Sequence, residues 1–258
     1  VAGGAEPRYR MLETIREYAR EHLAAIGEAD GFRAAHAAYA YELAKRAEGW
    51  GSGTDWAQER LAAELDNVRA ALAWHQERGD VDGMQALAGA LWEFWYTRGL
   101  VSEGRRWLAA ALALGETTDT RARASAVLGL GALAGLQGDL DGALPPLAAA
   151  AELYAELGDH VRRGIAFGCQ GNVRIAAGDL PGAQAMYEQE LAAYRAGGDD
   201  FGIGAALINL ARIAMARGKY DQAETALDHA TERYREGGRW DRANVVAYRA
   251  RLEYARGN

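Results

Sequence analysis

The residue types that carry catalysis or bind metals are sparse and scattered in this chain of 258 residues. Its five histidines show no H-x-x-x-H spacing, and its one cysteine, Cys169, excludes a paired-cysteine zinc site or a disulfide. No G-x-x-x-x-G-K-[ST] phosphate loop is present, and no serine, cysteine or lysine stands in a recognisable nucleophile–base arrangement. We therefore expect no catalytic residue, no metal site, no cofactor and no enzymatic activity.

Two short motifs invite a ligand-binding interpretation. The glycine-rich run over 129–135 has no strand before it and lies within a helical pattern, so close helix packing explains its small residues better than a dinucleotide site. Asp199 and Asp200 form an acidic pair, but no third carboxylate follows, which favours loop capping over metal binding.

Charge and hydropathy narrow the possible partners and location. The net charge of −7 argues against direct binding of nucleic acid, which needs clustered Lys and Arg. No apolar run approaches the length of a membrane span, and the start at Val1 has no signal segment. We expect no membrane association and interpret the chain as a cytoplasmic fragment of a longer protein.

The elements that would position any site are predicted to be helices. Apolar residues recur at helical spacing in almost every segment, and no strict alternation typical of a strand is found. A glycine that would end a helix returns every 39 or 40 residues, at Gly99, Gly138, Gly178, Gly218 and Gly257. A period near 40 is typical of stacked helical hairpins.

The hydrophobic pattern also gives helix boundaries. Three helices are expected first, over 8–26, 32–48 and from 54 or 55 to 79. The helix pairs that follow are 81–98 with 102–114, 120–137 with 141–157, 160–177 with 181–196, 201–217 with 221–236, and a last helix over 240–256. Ser102, Asp141 and Asp221 are the expected N-caps, and Pro181 suits a first helical turn.

The hairpins resemble tetratricopeptide (TPR) repeats. One unit reads Phe167-x2-Gln170-Gly171-x2-Arg174 and then Ala183-x3-Tyr187, with small residues where the two helices would cross. The first unit departs from the pattern, because Trp92 takes a small-residue position and Gly104 is its expected partner. The resemblance implies an all-α, right-handed superhelical solenoid with a period of about 40 residues.

A second resemblance covers the first 110 residues. The blocks that carry it are the run from Tyr9 to Ala19 (YRMLETIREYA), LAAELDNVRAAL over 61–72, LWEFWY over 91–96 and GRRWL over 104–108. They look like the C-terminal part of bacterial STAND-type signalling ATPases, similar to LuxR-like and antibiotic-regulatory transcriptional regulators. The resemblance implies that 1–30 is the tail of a winged-helix or junction region, 31–80 a helical connector and 81–258 the repeat array, with an ATPase module upstream.

In a TPR array the first helix of each hairpin lines a concave groove. Projecting the groove positions onto this sequence gives Glu93, Tyr96, Asn172, Asn209, Arg212, Asn244, Arg251 and Tyr254. Their amides and guanidiniums could donate to a carboxylate, a phosphate or a peptide backbone. Alternatively, each arginine pairs with a neighbouring carboxylate. The aromatic helix that carries Trp92 and Tyr96 could line a pocket or belong to the core.

These features predict a non-catalytic sensor domain of a STAND-type regulator. Its groove would bind a protein, peptide or small-molecule effector and pass the signal to the upstream ATPase. A TPR scaffold without an ATPase is the alternative, and an α/α-barrel enzyme is a third, which would need a closed ring and a convergent acidic pocket.

Overall fold

A computed structural model describes residues 11–49, 55–234 and 239–257, and every regular element in these ranges is an α-helix. In chain order the helices are α1 Glu13–Ala25, α2 Ala29–Arg46, α3 Asp55–Ala63, α4 Leu65–Arg78, α5 Val81–Thr97, α6 Val101–Ala113, α7 Thr120–Leu136, α8 Leu140–Glu156, α9 His160–Ala176, α10 Leu180–Gly197, α11 Asp200–Ala216, α12 Tyr220–Arg233 and α13 Arg239–Arg256.

The prediction of an all-α repeat solenoid is confirmed. Helices α5, α7, α9 and α11 each pack against the helix that follows them in a hairpin, and each second helix packs against the next hairpin. From α5 onward the observed bounds lie within three residues of the predicted ones. The packing therefore runs in one direction along the chain, as stacked hairpins require. No helix in the described ranges meets the length and apolarity that a bilayer span demands.

Glycine and aspartate build the turns of the array. The five glycines of the predicted period have φ between 69° and 86°, the left-handed conformation that a Cβ disfavours. At α5 and at each helix from α7 to α11, an aspartate caps the helix with its side chain, as Asp179 does by accepting from the backbone N–H of Gly182 at 2.9 Å. The same cap is formed by Asp80, Asp119, Asp139, Asp159 and Asp199. Helices α6 and α12 have no such side-chain cap.

The expected N-caps were wrong by two residues each. Ser102, Asp141 and Asp221 lie inside their helices, whose N-caps are Leu100, Asp139 and Lys219. The helix thus starts closer to the glycine than expected, because the turn needs almost no residues between the glycine and the capping position.

The N-terminal part is less regular than the repeats. The single helix expected from residue 54 or 55 to 79 is divided into α3 and α4 at Glu64, whose ψ of 13° departs from helical geometry. Helices α2 and α4 pack against each other and both contact α5, so they extend the stack in front of the first repeat. Residues 1–10, 50–54, 235–238 and 258, including the start of the junction block at Tyr9, lie outside the described residues.

Aromatic side chains fill the centre of the first repeats. Trp92 is 1% exposed and Trp95 is fully buried, so this part of the helix belongs to the core rather than to a pocket. The expected contact of Trp92 with Gly104 was wrong. A Cβ added to Gly104 would lie 2.7 Å from Trp95. Trp92 instead covers Gly129 of α7, where an added Cβ would lie 2.4 Å from the Trp92 Cβ. The large ring fills the space between successive hairpins rather than the crossing within one.

Candidate functional site

The eight predicted groove residues fall at three places along the array. Glu93 and Tyr96 lie on α5, and Asn172, Asn209 and Arg212 meet on α9 and α11. The other three, Asn244, Arg251 and Tyr254, lie on the exposed surface of α13.

The middle group forms a hydrogen-bonded set that we call the amide cluster, composed of Asn172, Tyr187, Glu190, Asn209 and Arg212. The Tyr187 hydroxyl donates to Asn172 Oδ1 at 2.9 Å, and Arg212 Nη1 donates to the same oxygen at 3.3 Å. Arg212 Nη1 also reaches Asn209 Oδ1 at 3.0 Å, and Asn209 Nδ2 donates to Glu190 Oε2 at 3.1 Å. Three helices, α9, α10 and α11, are thereby joined at one point.

The inner end of the amide cluster is a buried carboxyl group. Glu190 is 4% exposed and lies against Gly168, where a Cβ would come within 2.5 Å of Oε1. Burial raises the pKa of Glu190 to about 8, although the bond from Asn209 and the charge of Arg212 act in the opposite direction. The outer end is Arg212, which is partly exposed and can offer its other guanidinium donors to a ligand.

The arginines do not follow the alternative in which each pairs with a carboxylate. Arg212 contacts two amide oxygens, and Arg251 lies over the Tyr248 ring with Cζ 5.1 Å from the ring centroid. Within the described part of the chain neither guanidinium has a carboxylate oxygen within 4.0 Å. Arg251 is exposed, and Tyr254 beside it is 85% exposed.

Glu93 belongs to a second polar group, near the N-terminal end of the array. It is 2% exposed and accepts from the Gly49 backbone N–H and from Arg162 Nη1, the latter at 3.3 Å. Arg162 Nη2 donates to Glu48 Oε2 at 2.6 Å. Burial raises the pKa of both carboxyl groups, whereas the Arg162 charge lowers it. Glu93 is therefore a buried ion-pair partner that holds Arg162 in place, and it does not face a ligand itself.

Arg162 forms part of the wall of a cavity of about 110 Å³. The cavity lies between the C-terminal end of α2 and the first turns of α7 and α9, with alanines of α5 behind it. Its polar lining residues are Tyr41, Lys45, Glu48, Asp119, Arg121, Ser125 and Arg162.

Sequence reasoning missed Arg162, Glu190 and the cavity. The signal for Glu190 was available, since a glutamate at a position three residues after Tyr187 falls on the buried face of α10. No local signal could have found the Arg162 link, because its partner Glu48 lies 114 residues away.

Neither thiol nor metal chemistry is favoured among the described residues. Burial raises the pKa of the Cys169 thiol to about 12, so the thiol stays protonated near neutral pH. Among the described residues, no three His, Cys, Asp or Glu side chains converge in a way that could hold a metal ion.

Residues 162–236 match the tetratricopeptide repeat family model. The matched range runs from Arg162 to beyond Tyr234 and includes the whole amide cluster. A TPR-like repeat fold is typically a non-catalytic scaffold for protein binding.

Part of the chain also matches bacterial proteins with a provisional name, HTH-type transcriptional regulator. The protein of Mycobacterium bovis and those of two Mycobacterium tuberculosis strains are each 39% identical over 129 residues. The match covers 46% of this chain but only 14% of each relative. The chain thus spans a small part of the relatives it matches.

Solved structures support the fold. A provisionally named kinesin light chain of Podospora anserina, with nearly identical TPR-like repeats, aligns with a TM-score of 0.59 and 18% identity over 77% of this chain and 94% of its own. A Rap protein complexed with competence and sporulation factor aligns with a TM-score of 0.57 and 17% identity, over 77% of this chain and 54% of its own. BtubC of P. vanneervenii aligns with a TM-score of 0.52 and 18% identity, over 77% of this chain and 88% of its own.

Proposed function

We propose that this chain is the sensor array of a bacterial HTH-type transcriptional regulator of the STAND class. An effector would bind in the concave groove, and an ATPase module upstream in the same protein would receive the signal. The observation that carries the proposal is the 39% identity with the mycobacterial regulators. The ordered sequence blocks between Tyr9 and Leu108 support the same class.

The groove that we assign to the effector is centred on the amide cluster. Arg212 is held in place by Asn172 and Asn209, so its planar fork is oriented before any ligand arrives. Arg251 adds a second cation on α13, which stands where the first helix of the next hairpin would stand. It too has no carboxylate partner among the described residues. An anionic group on a protein or peptide effector would meet both.

A scaffold that holds a protein partner without an ATPase is the second candidate, which the match to the TPR family model supports equally well. The full-length gene separates the two. The proposal requires a G-x-x-x-x-G-K-[ST] loop and a DNA-binding segment in the same reading frame, and their absence would leave the scaffold.

The groove assignment is tested with the full-length protein. We would immobilise it, recover its partner from an extract of the host and measure the affinity of that partner for three variants. Arg212→Ala and Arg251→Ala should each weaken binding by about tenfold, equivalent to ~1.4 kcal/mol. Arg195→Ala, an exposed change at the end of α10, should bind like the parent. Equal affinity of all three would contradict the groove assignment.

A further inference from the structure

The cavity near the N-terminal end of the array has two charged groups of opposite sign, Lys45 and Asp119, that form no ion pair between helices among the described residues. Lys45 Nζ lies 3.6 Å from Glu42 on the same helix, an exposed pair of the kind that contributes little, and 5.3 Å from the centre of the Tyr41 ring. Asp119 Oδ1 caps α7 by accepting from two backbone N–H groups. Its Oδ2 takes no hydrogen bond, and the carboxylate no cation, from the described residues.

The other charged groups of the lining are already engaged. Arg162 is bound by Glu48 and Glu93, and Arg121 is bound by Asp159. Ser125 shares a hydrogen bond of 2.9 Å with the Tyr154 hydroxyl. Lys45 and Asp119 are therefore the two charged groups of the cavity wall that a ligand could recruit without breaking an internal ion pair between helices.

Lys45 and Asp119 approach the same point from different helices. Both line the cavity, and both act electrostatically on the Tyr41 hydroxyl, which also lines it. They are nevertheless more than 4.0 Å apart, since they form no ion pair. A molecule placed between them meets a cation on the α2 side and an anion on the α7 side.

We propose that this cavity binds a small zwitterion of the amino-acid class, with its carboxylate at Lys45 and its ammonium at Asp119. The size agrees with this class. A cavity of about 150 Å³ holds benzene, so about 110 Å³ accommodates the five non-hydrogen atoms of the charged part of an amino acid. The side chain would extend toward solvent, to which the cavity opens.

Ligands with a single charge fit less well. A simple carboxylate would be attracted to Lys45 but would leave Asp119 next to a second anion, and a simple amine would place a cation near Lys45. This proposal concerns a different surface from the amide cluster, so it does not depend on the identity of the groove's partner.

The test is a thermal-shift screen of the full chain with each of the twenty standard amino acids at millimolar concentration, followed by calorimetric titration. A ligand that binds the folded state raises the melting temperature. For the best amino acid, the N-acetyl derivative and the amide each remove one charge and should bind at least about tenfold more weakly. No shift with any amino acid, or a derivative that binds as tightly as the free amino acid, would overturn the proposal.

Two substitutions place the binding in this cavity. Lys45→Met removes the cation, and Asp119→Asn removes the anion while keeping a good N-cap, so both variants should fold. Each should lower the affinity for the amino acid by about tenfold, whereas Lys219→Met, at the exposed start of α12, should leave that affinity unchanged. Unchanged affinity of both cavity variants would overturn the proposal. Arg212→Ala should leave amino-acid binding intact, so failure of the groove assignment is distinguished from failure here.

Discussion

Replacing Gly171 by alanine tests how closely α9 and α10 cross. A Cβ at this position would lie 2.3 Å from Cε1 and 2.6 Å from Cδ1 of Tyr187. The Tyr187 ring is fully buried, and its hydroxyl donates to Asn172, so the ring cannot move aside without breaking a contact. The added methyl group must therefore separate the helices or displace the ring.

The magnitude follows from three contributions. Alanine in place of glycine within a helix stabilises by about 1 kcal/mol. Overpacking costs about 1–3 kcal/mol. Loss of the Tyr187–Asn172 hydrogen bond costs about 1 kcal/mol more. We expect Gly171→Ala to lower the free energy of unfolding by about 1–3 kcal/mol.

The assay is urea unfolding followed by far-UV circular dichroism, with Gly31→Ala as the matched control. Gly31 lies in α2 with no atom within 4 Å of the added Cβ, so the same substitution should stabilise by up to about 1 kcal/mol. In the Tyr187→Leu background, where the clashing ring is absent, Gly171→Ala should lower the free energy of unfolding by less than it does in the parent. If Gly171→Ala is as stable as the parent, the ring of Tyr187 does not lie where the structure places it.

Three further predictions concern stability, pH and nucleotide. Trp92→Ala should cost about 3–5 kcal/mol because the ring is buried against Gly129, whereas Trp56→Ala, 62% exposed, should cost far less in the same urea titration. The pKa of Glu190 rises from 4.5 to about 8 on folding, so the folded state holds the proton more tightly and stability falls between those pH values. Glu190→Gln should flatten this decline in a pH series of melting temperatures, and an unchanged slope would contradict the burial of a neutral carboxyl. The isolated chain should give no saturable signal in a calorimetric titration with ATP, since it has no phosphate loop.

Much of the fold could be predicted from the sequence because the decisive signals are local. The glycine period and the helical spacing of apolar residues are properties of neighbouring residues, and they gave the hairpins from α5 to α13. The break at Glu64 was missed because the apolar pattern continues across it. The partner of Trp92 was missed because periodicity gives a buried face and not the neighbour that covers it.

The candidate sites were predictable only in part. Projection of groove positions named Asn172 on α9 and Asn209 and Arg212 on α11, and the Arg212 guanidinium joins the two asparagines. That these residues form an effector groove stays a prediction. That Glu93 would be buried was not predictable, because its burial depends on Arg162 from two repeats later and on Gly49 before α3. Contacts between distant segments depend on how successive hairpins stack, which no single repeat encodes.

The most direct test of the central claim is RNA sequencing of the host with four alleles of the full-length gene. The alleles are the parent, a deletion, Arg212→Ala and the control Arg195→Ala. If the groove senses an effector for a transcriptional regulator, the Arg212→Ala transcript profile should match the deletion and the Arg195→Ala profile should match the parent. A deletion that leaves transcription unchanged, or an Arg212→Ala profile identical to the parent, would contradict the account.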